Sequence, residues 1–240
     1  MSKYFEEIDY CPTPIGAVSL RRRHLLSLGV DVFEIMLGDE HLMSSLFTAS
    51  EVALARLGLA ELTGEGLDVV VGGLGLGYTA GAVLENEAVR SLTVVEMLEP
   101  VIRWHEEELV PLKPALKEDP RCRIIQGDFF ALAASSGGFD LDTPGRKYHA
   151  ILIDIDHTPD HLLDQRSDGF YSNEGLERLA AHLHPGGVMG LWSDAKTDDA
   201  FTERLGSVFE AARAEPVTFP NPLQDNRPFT QTVYLARKPA

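Results

Sequence analysis

Four short apolar runs of the sequence each end in residues that could hold a polar ligand. The first leads into Gly72-Gly73-Leu74-Gly75-Leu76-Gly77, and the next three end at Glu96, Asp128 and Asp154. Glycine-rich main chain can present its N–H groups to a ligand, and carboxylates accept hydrogen bonds from hydroxyls and amines. If the four run ends meet in space, they predict one binding site.

The glycine segment follows a β-branched run, Asp68-Val69-Val70-Val71, and precedes a helix-like run. A strand that breaks into glycines and then enters a helix can face a polar ligand with the helix N-terminus. The spacing Gly73-x-Gly75-x-Gly77 is typical of folds that bind S-adenosylmethionine, whereas Gly75-x-Gly77-x-x-Ala80 can be matched to the dinucleotide fingerprint. A tight turn without a ligand is the third interpretation, so the glycines alone do not decide.

The acids that follow favour a nucleoside. Glu96 ends the second run, where a carboxylate can accept from both hydroxyls of a ribose. Asp128, after a third run and Gly127, is placed to accept from an adenine amine, and Phe129 could pack on the base. A dinucleotide site would not need this second acid, so these residues favour an adenosyl sulfonium ligand. The alternatives are a solvated strand end at Glu96 and a helix N-cap at Asp128, and the cap is compatible with binding.

The most distinctive polar segment is Asp154-Ile155-Asp156-His157. Alternation over two residues places both aspartates on one side, facing the ligand. Transfer of an alkyl group from a sulfonium to an amine requires a neutral amine, and a nearby carboxylate can take the proton. Methyl and aminopropyl transfer share this requirement. Two alternatives remain open here, namely metal ligation by Asp154, Asp156, His157 and His161, and a polar loop without a ligand.

Strand-like and helix-like segments alternate at least five times at the spacing of α/β folds. The pattern predicts a doubly wound, mostly parallel seven-stranded sheet that binds its ligand at the carboxyl ends of the strands. The predicted strands are 68–71, 91–96, 123–126, 148–153, 188–192, 217–219 and 232–236, and the predicted helices are 42–59, 78–84, 100–109, 172–183 and 197–214. Residues 154–169 are predicted to form a long functional loop.

Two strand-like runs at 15–22 and 31–37 predict a small N-terminal β-hairpin. We therefore divide the chain into a hairpin region, 1–42, and an α/β domain, 43–240. Arg21-Arg22-Arg23 at the end of the first run is interpreted as a solvated edge, with binding of a carboxylate as the alternative.

Composition narrows the function classes. The chain has 240 residues and a formal charge of −16, which disfavours a nucleic-acid partner because phosphate backbones require a dense cationic surface. Two cysteines, Cys11 and Cys122, provide neither a disulfide framework nor a cysteine zinc site. No apolar run approaches the length of a membrane span, and the first ten residues do not resemble a signal peptide. We expect a soluble cytoplasmic protein with no membrane partner.

The order of these pieces resembles the spermidine synthase (polyamine aminopropyltransferase) family over about residues 68 to 192. The matching pieces are Val-Val-Val-Gly-Gly at 69–73, Val-Val-Glu at 94–96, Asp-Pro-Arg at 119–121, Ile-Ile-Gln-Gly-Asp at 124–128, Tyr148 to Asp154, Phe170-Tyr171 and Leu-His-Pro-Gly-Gly-Val at 183–188. The resemblance implies a class I S-adenosylmethionine-dependent methyltransferase-like Rossmann fold. It also implies that Glu96 binds ribose, Asp128 meets adenine and Asp154 is the acid nearest the attacking amine. Family members are often oligomeric, so a homodimer is an expectation.

Three segments depart from the family pattern. The family has an aspartate in its glycine loop, which holds the donor's aminopropyl ammonium, and Gly75 stands there in this chain. The family's second loop acid falls on His157, although Asp156 lies one residue earlier. After Asp39-Glu40 the family has a tyrosine and an acid, whereas this chain continues with Met43, Ser44 and Ser45.

The sequence therefore predicts a spermidine-synthase-like transferase that moves an aminopropyl group from decarboxylated S-adenosylmethionine to a small amine. An S-adenosylmethionine-dependent methyltransferase is the alternative, favoured by Gly75. A non-catalytic adenosine-binding regulatory or scaffold protein is the second alternative. The predicted catalytic residues are Asp154 and Asp156, the predicted donor-binding residues are Gly73, Gly75, Gly77, Glu96, Asp128 and Phe129, and no metal site is predicted.

Overall fold

The computed structural model describes residues 4–163 and 165–240. They form two β-sheets, one of four strands and one of seven, with helices packed on the larger sheet. The strands are β1 Phe5–Thr13, β2 Gly16–Leu25, β3 Val30–Leu37, β4 Glu40–Ser44, β5 Leu67–Gly72, β6 Val89–Glu96, β7 Cys122–Gln126, β8 Tyr148–Ile153, β9 Leu183–Ser193, β10 Glu210–Asn221 and β11 Arg227–Arg237. The helices are α1 Ala49–Ala60, α2 Tyr78–Leu84, α3 Glu99–Glu106, α4 Phe129–Ala134, α5 Asn173–Ala181 and α6 Asp199–Val208, with short 3-10 helices at Leu116–Glu118, Gln165–Tyr171 and Pro222–Gln224.

The larger sheet has the strand order β10-β11-β9-β8-β5-β6-β7. Its five strands from β9 to β7 pair in parallel, and β11 and β10 join antiparallel on the other side. The chain leaves β5 towards β6 and β7 and then returns to β8 on the opposite side of β5, so the topological switch lies between β5 and β8. The prediction of a doubly wound, mostly parallel seven-stranded α/β sheet is confirmed.

The apolar strands bury both faces of this sheet. In β5, Val69 and Val71 pack into the core beneath α1 and α2, whereas Val70 faces the core beneath α4 to α6. Leu152 and Ile151 of β8 divide in the same way. A strand covered by helices on both faces needs side chains that are apolar at every position, which is why these runs are continuous and β-branched.

The predicted N-terminal hairpin is present as β2 and β3, and β1 and β4 extend it to a four-stranded antiparallel sheet. The boundary predicted between residues 42 and 43 falls inside β4, so this sheet ends two residues later at Ser44. As a division into folding units it stays a prediction.

The three arginines of β2 lie along this sheet and pair with acids of the neighbouring strands. Arg22 contacts Glu6 at 2.6 Å, and Arg23 contacts Glu34 at 2.5 Å. Strand β2 lies between β1 and β3, so the prediction that Arg21-Arg22-Arg23 forms an edge is wrong. The three side chains instead form ion pairs with acids of the strands on either side.

Two predicted helices differ from the structure by more than one turn at one end. Helix α1 begins at Ala49 rather than at residue 42, because residues 42–44 pair with β3 as part of β4. Helix α6 ends at Val208, and β10 starts at Glu210 with a register against β11. The alanines and glutamates at 210–215 favour a helix, but pairing with a long neighbouring strand overrides that local propensity.

The predicted loop at 154–169 contains a bridge between Thr158 and His161 and the start of the 3-10 helix at Gln165–Tyr171. Residue 164 of this loop lies outside the described residues. Among the helices in the described part of the chain, none is both long and apolar enough to cross a membrane.

Candidate functional site

A cavity of about 360 Å³ lies at the carboxyl ends of the parallel strands, next to the switch between β5 and β8. Parallel α/β sheets bind their ligands at this position. The predicted site residues that line it are Gly73, Gly75, Glu96, Asp128, Phe129, Asp154 and Asp156. The four-stranded sheet covers the cavity from the other side with apolar residues, namely Ile15, Ile35, Leu37, Leu42 and Met43.

The glycine turn between β5 and α2 brings the main chain close to its neighbours. Gly73 has a φ of +88°, and a Cβ there would lie 2.1 Å from the carbonyl oxygen of Asp154. Gly75 has a φ of +48°, and its missing Cβ would meet the sulfur of Met43 at 2.9 Å. Met43 also accepts a hydrogen bond from Leu76 N–H at 3.2 Å. The thioether of Met43 therefore fills the space into which a side chain at position 75 would project.

Gly77, the third predicted glycine, precedes α2 and is not among the cavity-lining residues. A Cβ at this position would lie 2.7 Å from the ring of His105 and 2.8 Å from Leu112. Its space is therefore occupied by side chains of the protein.

Glu96 fixes the turn from the neighbouring strand. Its carboxylate accepts from Leu74 N–H at 3.0 Å and from Leu98 N–H at 2.8 Å. Burial raises the pKa of Glu96, and these backbone N–H groups oppose that shift. The N–H groups of Met97 and Gly75 also bond to this carboxylate, which lines the cavity.

His105 of α3 also holds the turn, although the sequence gives no signal for it. Its Nε2 lies 2.9 Å from the carbonyl oxygen of Gly75, and because a carbonyl only accepts, Nε2 carries the proton. Burial lowers the pKa of His105, which favours the neutral ring.

Asp128 caps α4. Its Oδ1 accepts from Phe130 N–H at 3.0 Å and from Ala131 N–H at 3.1 Å, as the cap hypothesis predicts. Both bonds go to one oxygen, which leaves Oδ2 for a ligand. Phe129 is 3% exposed and stacks on Phe139 with 5.0 Å between ring centroids, so most of its ring belongs to the core. Phe130 is half-buried and lines the same cavity.

Asp154 is buried beside a second carboxyl group that the sequence does not single out. Thr79 Oγ1 of α2 donates to Asp154 Oδ2 at 2.6 Å. Burial raises the pKa of Asp154 to about 6, and the Thr79 hydroxyl opposes the shift. Glu51 of α1 lines the same cavity, and burial together with the charge of Asp154 raises its pKa to about 8. Two neighbouring buried carboxyl groups disfavour a second negative charge.

Asp156 is 3% exposed and is bound to the loop that follows it. It accepts from Tyr171 O–H at 2.8 Å and from Leu163 N–H at 2.8 Å. Burial raises the pKa of Tyr171 well above its usual value, so the phenol keeps its proton and donates it to the carboxylate. Tyr171, part of the Phe170-Tyr171 piece of the resemblance, thus anchors the loop of Asp156.

His157 and His161 both lie near Glu40 of β4, with Nε2 to Oε1 distances of 3.1 Å and 3.7 Å. These contacts join the loop after β8 to the four-stranded sheet. Within residues 4–163 and 165–240, no group of three or more histidine, cysteine or acidic side chains is arranged to hold a metal ion.

Comparison with solved structures identifies the fold. A spermidine synthase in complex with the transition-state analogue AdoDATO aligns over 97% of this chain and 73% of its own, with a TM-score of 0.71 and 16% identity. The spermidine synthase from Thermotoga maritima aligns over 97% of this chain and 72% of its own, with a TM-score of 0.69 and 16% identity. No protein-family model matches the sequence. The predicted resemblance is confirmed at the level of the fold, as that of a divergent chain.

Proposed function

We propose that this protein is a transferase that moves an aminopropyl group from decarboxylated S-adenosylmethionine to a small amine. The observation that carries the proposal is the convergence of Glu96, Asp128 and Asp154 on one cavity beside the glycine turn. The bound analogue named for one structural neighbour supports an adenosyl donor for this fold.

Each end of the adenosine has a suitable partner in the cavity. The carboxylate of Glu96, which lines the cavity, is assigned to the ribose hydroxyls, because a carboxylate can accept from two adjacent donors. Oδ2 of Asp128 is assigned to the exocyclic amine of adenine, with the half-buried Phe130 beside the base. Gly73 and Gly75, at the β5–α2 turn, are assigned to the part of the donor nearest the sulfonium.

The transfer step needs one base. The lone pair of the amine forms a bond to the carbon next to the sulfonium, the carbon–sulfur bond breaks, and its electron pair stays on sulfur as a neutral thioether. The nitrogen gains a positive charge and loses a proton, which Asp154 accepts. A carboxyl group with a pKa of about 6 suits this role, since it is ionised at neutral pH but less acidic than a solvated aspartate. Asp156, which is fixed by Tyr171 and Leu163, is assigned to the approaching ammonium.

Methyl transfer from S-adenosylmethionine is the second candidate, and the contact between Gly75 and Met43 favours it. Where the resemblance implies an acid for an aminopropyl ammonium, this chain has a glycine covered by a thioether. A thioether is a weak acceptor and carries no charge, so it would not hold an ammonium. The tail of S-adenosylmethionine carries a carboxylate beside its ammonium, and an acid at position 75 would repel that carboxylate whereas glycine does not.

One incubation separates these functions. The purified protein is mixed with both donors and a pool of mono-, di- and polyamines, and the nucleoside products are identified by mass spectrometry. Aminopropyl transfer releases methylthioadenosine, whereas methyl transfer releases S-adenosylhomocysteine. Donor binding without either product would indicate the non-catalytic adenosine-binding alternative and contradict the proposal. Asp154→Asn in the same assay is the control for activity that arises from contaminants.

A further inference from the structure

Glu51 is a buried acid at the start of α1 whose side chain faces the same cavity as Asp154. It is 6% exposed, and Ser50 beside it is fully buried. The part of the chain that the structure describes shows no cation paired with it. A buried carboxyl group without a cation must be neutral or bound by strong donors.

The hydrogen bonds around Ser50 indicate whether Glu51 is neutral or is an anion bound by donors. Trp192 Nε1 donates to Ser50 Oγ at 2.9 Å, and Ser50 Oγ lies 2.6 Å from Gln231 Oε1 and 2.8 Å from Glu51 Oε2. Gln231 is fixed in orientation because its Nε2 donates to the exposed Asp194 at 2.6 Å. Its Oε1 therefore faces Ser50 and can only accept.

A hydroxyl group has one proton and two lone pairs. Gln231 Oε1 has no proton of its own, so its 2.6 Å contact with Ser50 Oγ is a hydrogen bond only if Ser50 donates its single proton there. The contact between Ser50 and Glu51 is then a hydrogen bond only if Glu51 Oε2 carries a proton and donates it. Trp192 and Glu51 fill the two lone pairs of Ser50, and every group in the chain from Asp194 to Glu51 is satisfied.

We propose that Glu51 is held as a neutral carboxylic acid by this chain of hydrogen bonds, and that with ionised Asp154 it forms a singly charged pair that binds the amine nitrogen. The charged or titratable groups that face Glu51 are Asp154 from the end of β8, Asp194 after β9 and Tyr78 from α2. The two aspartates oppose ionisation of Glu51, and burial raises the pKa of Tyr78, so none of the three stabilises an anionic Glu51.

This arrangement suits the amine. Asp154 accepts one N–H and later the proton, while the carboxyl group of Glu51 accepts a second N–H without adding charge. Two acceptors of fixed direction orient the nitrogen lone pair towards the donor. The assignment to an amine rests on the proposed function, whereas the protonation state of Glu51 does not.

Infrared spectroscopy tests the protonation state directly. At neutral pH the wild-type protein should show the carbonyl stretch of a protonated buried carboxyl group, and Glu51→Gln should remove it. In Gln231→Leu the hydroxyl of Ser50 can donate to Glu51 instead, which stabilises the ionised form of Glu51. The band should therefore disappear at a lower pH in this variant than in wild type. Glu65→Gln, at an exposed position, is the matched control and should leave the band unchanged. An unchanged spectrum in both Glu51→Gln and Gln231→Leu overturns the proposal.

Stability provides a second measurement that needs no activity. The pKa of Glu51 is about 8 in the folded protein, which is above its value in the unfolded chain. Between about pH 5 and 8 the protein therefore takes up a proton when it folds, and the wild type should lose stability as pH rises through this range. Glu51→Gln has no such group, and its melting temperature should rise relative to that of wild type over this range. A constant difference from pH 5 to 8 would overturn the proposal even if the infrared band were too weak to assign.

Calorimetric titration with 1,4-diaminobutane, in the presence of methylthioadenosine, tests the binding role. Glu51→Gln keeps a neutral acceptor and should bind the diamine within about threefold of wild type, whereas Glu51→Ala and Asp154→Asn should each lose about tenfold or more. Equal large losses in Glu51→Gln and Asp154→Asn would mean that both groups bind as anions and would overturn the neutral assignment. If the diamine does not bind and no nucleoside product forms, the proposed function fails. The infrared and stability measurements still test the protonation state of Glu51, so the two failures are distinguishable.

Discussion

At the scale of single residues, the pKa of Asp154 is set by two opposing effects. Burial raises its pKa to about 6, and the hydrogen bond from Thr79 Oγ1 lowers it. Thr79→Val keeps the shape of the side chain but removes the donor, so the pKa of Asp154 should rise further. In the proposed mechanism Asp154 must be ionised, so activity should fall as pH drops below that pKa, and the acidic limb of kcat/KM should move to higher pH in the variant. The measurement is the pH profile of kcat/KM with the acceptor found by mass spectrometry.

Asp154→Asn is the matched control for this profile. It should bind the donor within a few-fold of wild type but lose about a hundredfold or more in turnover, the usual contribution of a general base. A profile whose acidic limb is the same in Thr79→Val and wild type would contradict the role given to Asp154, as would a large loss of donor affinity in Asp154→Asn.

The residues of the cavity differ in how far the sequence could reveal them. Glu96, Asp128 and Asp154 follow apolar strands directly or after a single glycine, so their positions along the chain are enough to predict that they meet at one edge of the sheet. Glu51 lies in the first turn of a helix, where acids commonly stabilise the helix N-terminus, and its type therefore gives no separate signal. Its role depends on Ser50 and Gln231, which are 181 positions apart in the chain and meet only through the fold.

At the scale of elements, β4 meets the glycine turn through Met43, whose sulfur lies against Gly75 and accepts a hydrogen bond from Leu76 N–H. Gly75→Asp restores the acid implied by the resemblance at a φ of +48°, which aspartate tolerates better than most residues, but its Cβ would meet the Met43 sulfur. With Met43→Ala the side chain has room to reach a donor ammonium. The double variant should raise the ratio of affinities for decarboxylated S-adenosylmethionine over S-adenosylmethionine by about tenfold, because the new carboxylate can bind the ammonium of either donor but repels the carboxylate that only S-adenosylmethionine carries.

Calorimetry with both donors on wild type, each single variant and the double variant measures this coupling. Met43→Ala alone is the control, and it should leave the ratio close to that of wild type. Gly75→Asp alone should gain less than the double variant, because Met43 must first move. If Met43→Ala and the double variant had the same ratio of donor affinities, the aspartate at position 75 would have no effect on donor choice. That result would contradict the explanation that Met43 replaces the acid of the family at this position.

The elements themselves are predictable to different degrees. The strands from β5 to β8 are mostly apolar, and their composition and length identify them as buried strands. The sequence predicts helix for the end of β4 and the start of β10, because Leu42 to Ser44 and the alanines after Glu210 acquire their partners from β3 and β11. These short runs are polar or favour a helix, and their strand conformation depends on pairing with another strand, which their own residues do not reveal.

At the scale of the whole molecule, the four-stranded sheet covers the cavity and is joined to the larger sheet through Asp9 of β1. Asp9 Oδ2 accepts from Trp104 Nε1 and from Arg103 Nη2 of α3, each at 2.7 Å. Trp104 is fully buried, so its N–H has no access to water if Asp9 is removed. Ile35, Leu37 and Met43 of the covering sheet line the cavity, and the contacts of Asp9 therefore help to hold one wall of the cavity.

Asp9→Ala should lower the free energy of unfolding by about 1 to 3 kcal/mol, the cost of an unpaired buried donor, and should increase amide exchange in β1 to β4 more than in β5 to β9.

The Trp104 N–H and Arg103 lower the pKa of Asp9 in the folded protein. The stability that ionised Asp9 contributes is therefore fully present above the unfolded pKa of about 3.9 and is lost as pH falls through the lower folded pKa. The difference between the variant and wild type should therefore narrow in acid. Asp9→Asn is the control, since its amide oxygen still accepts from Trp104, and it should lose less at neutral pH. Uniform exchange across both sheets in Asp9→Ala would mean that the four-stranded sheet is held by its apolar contacts alone.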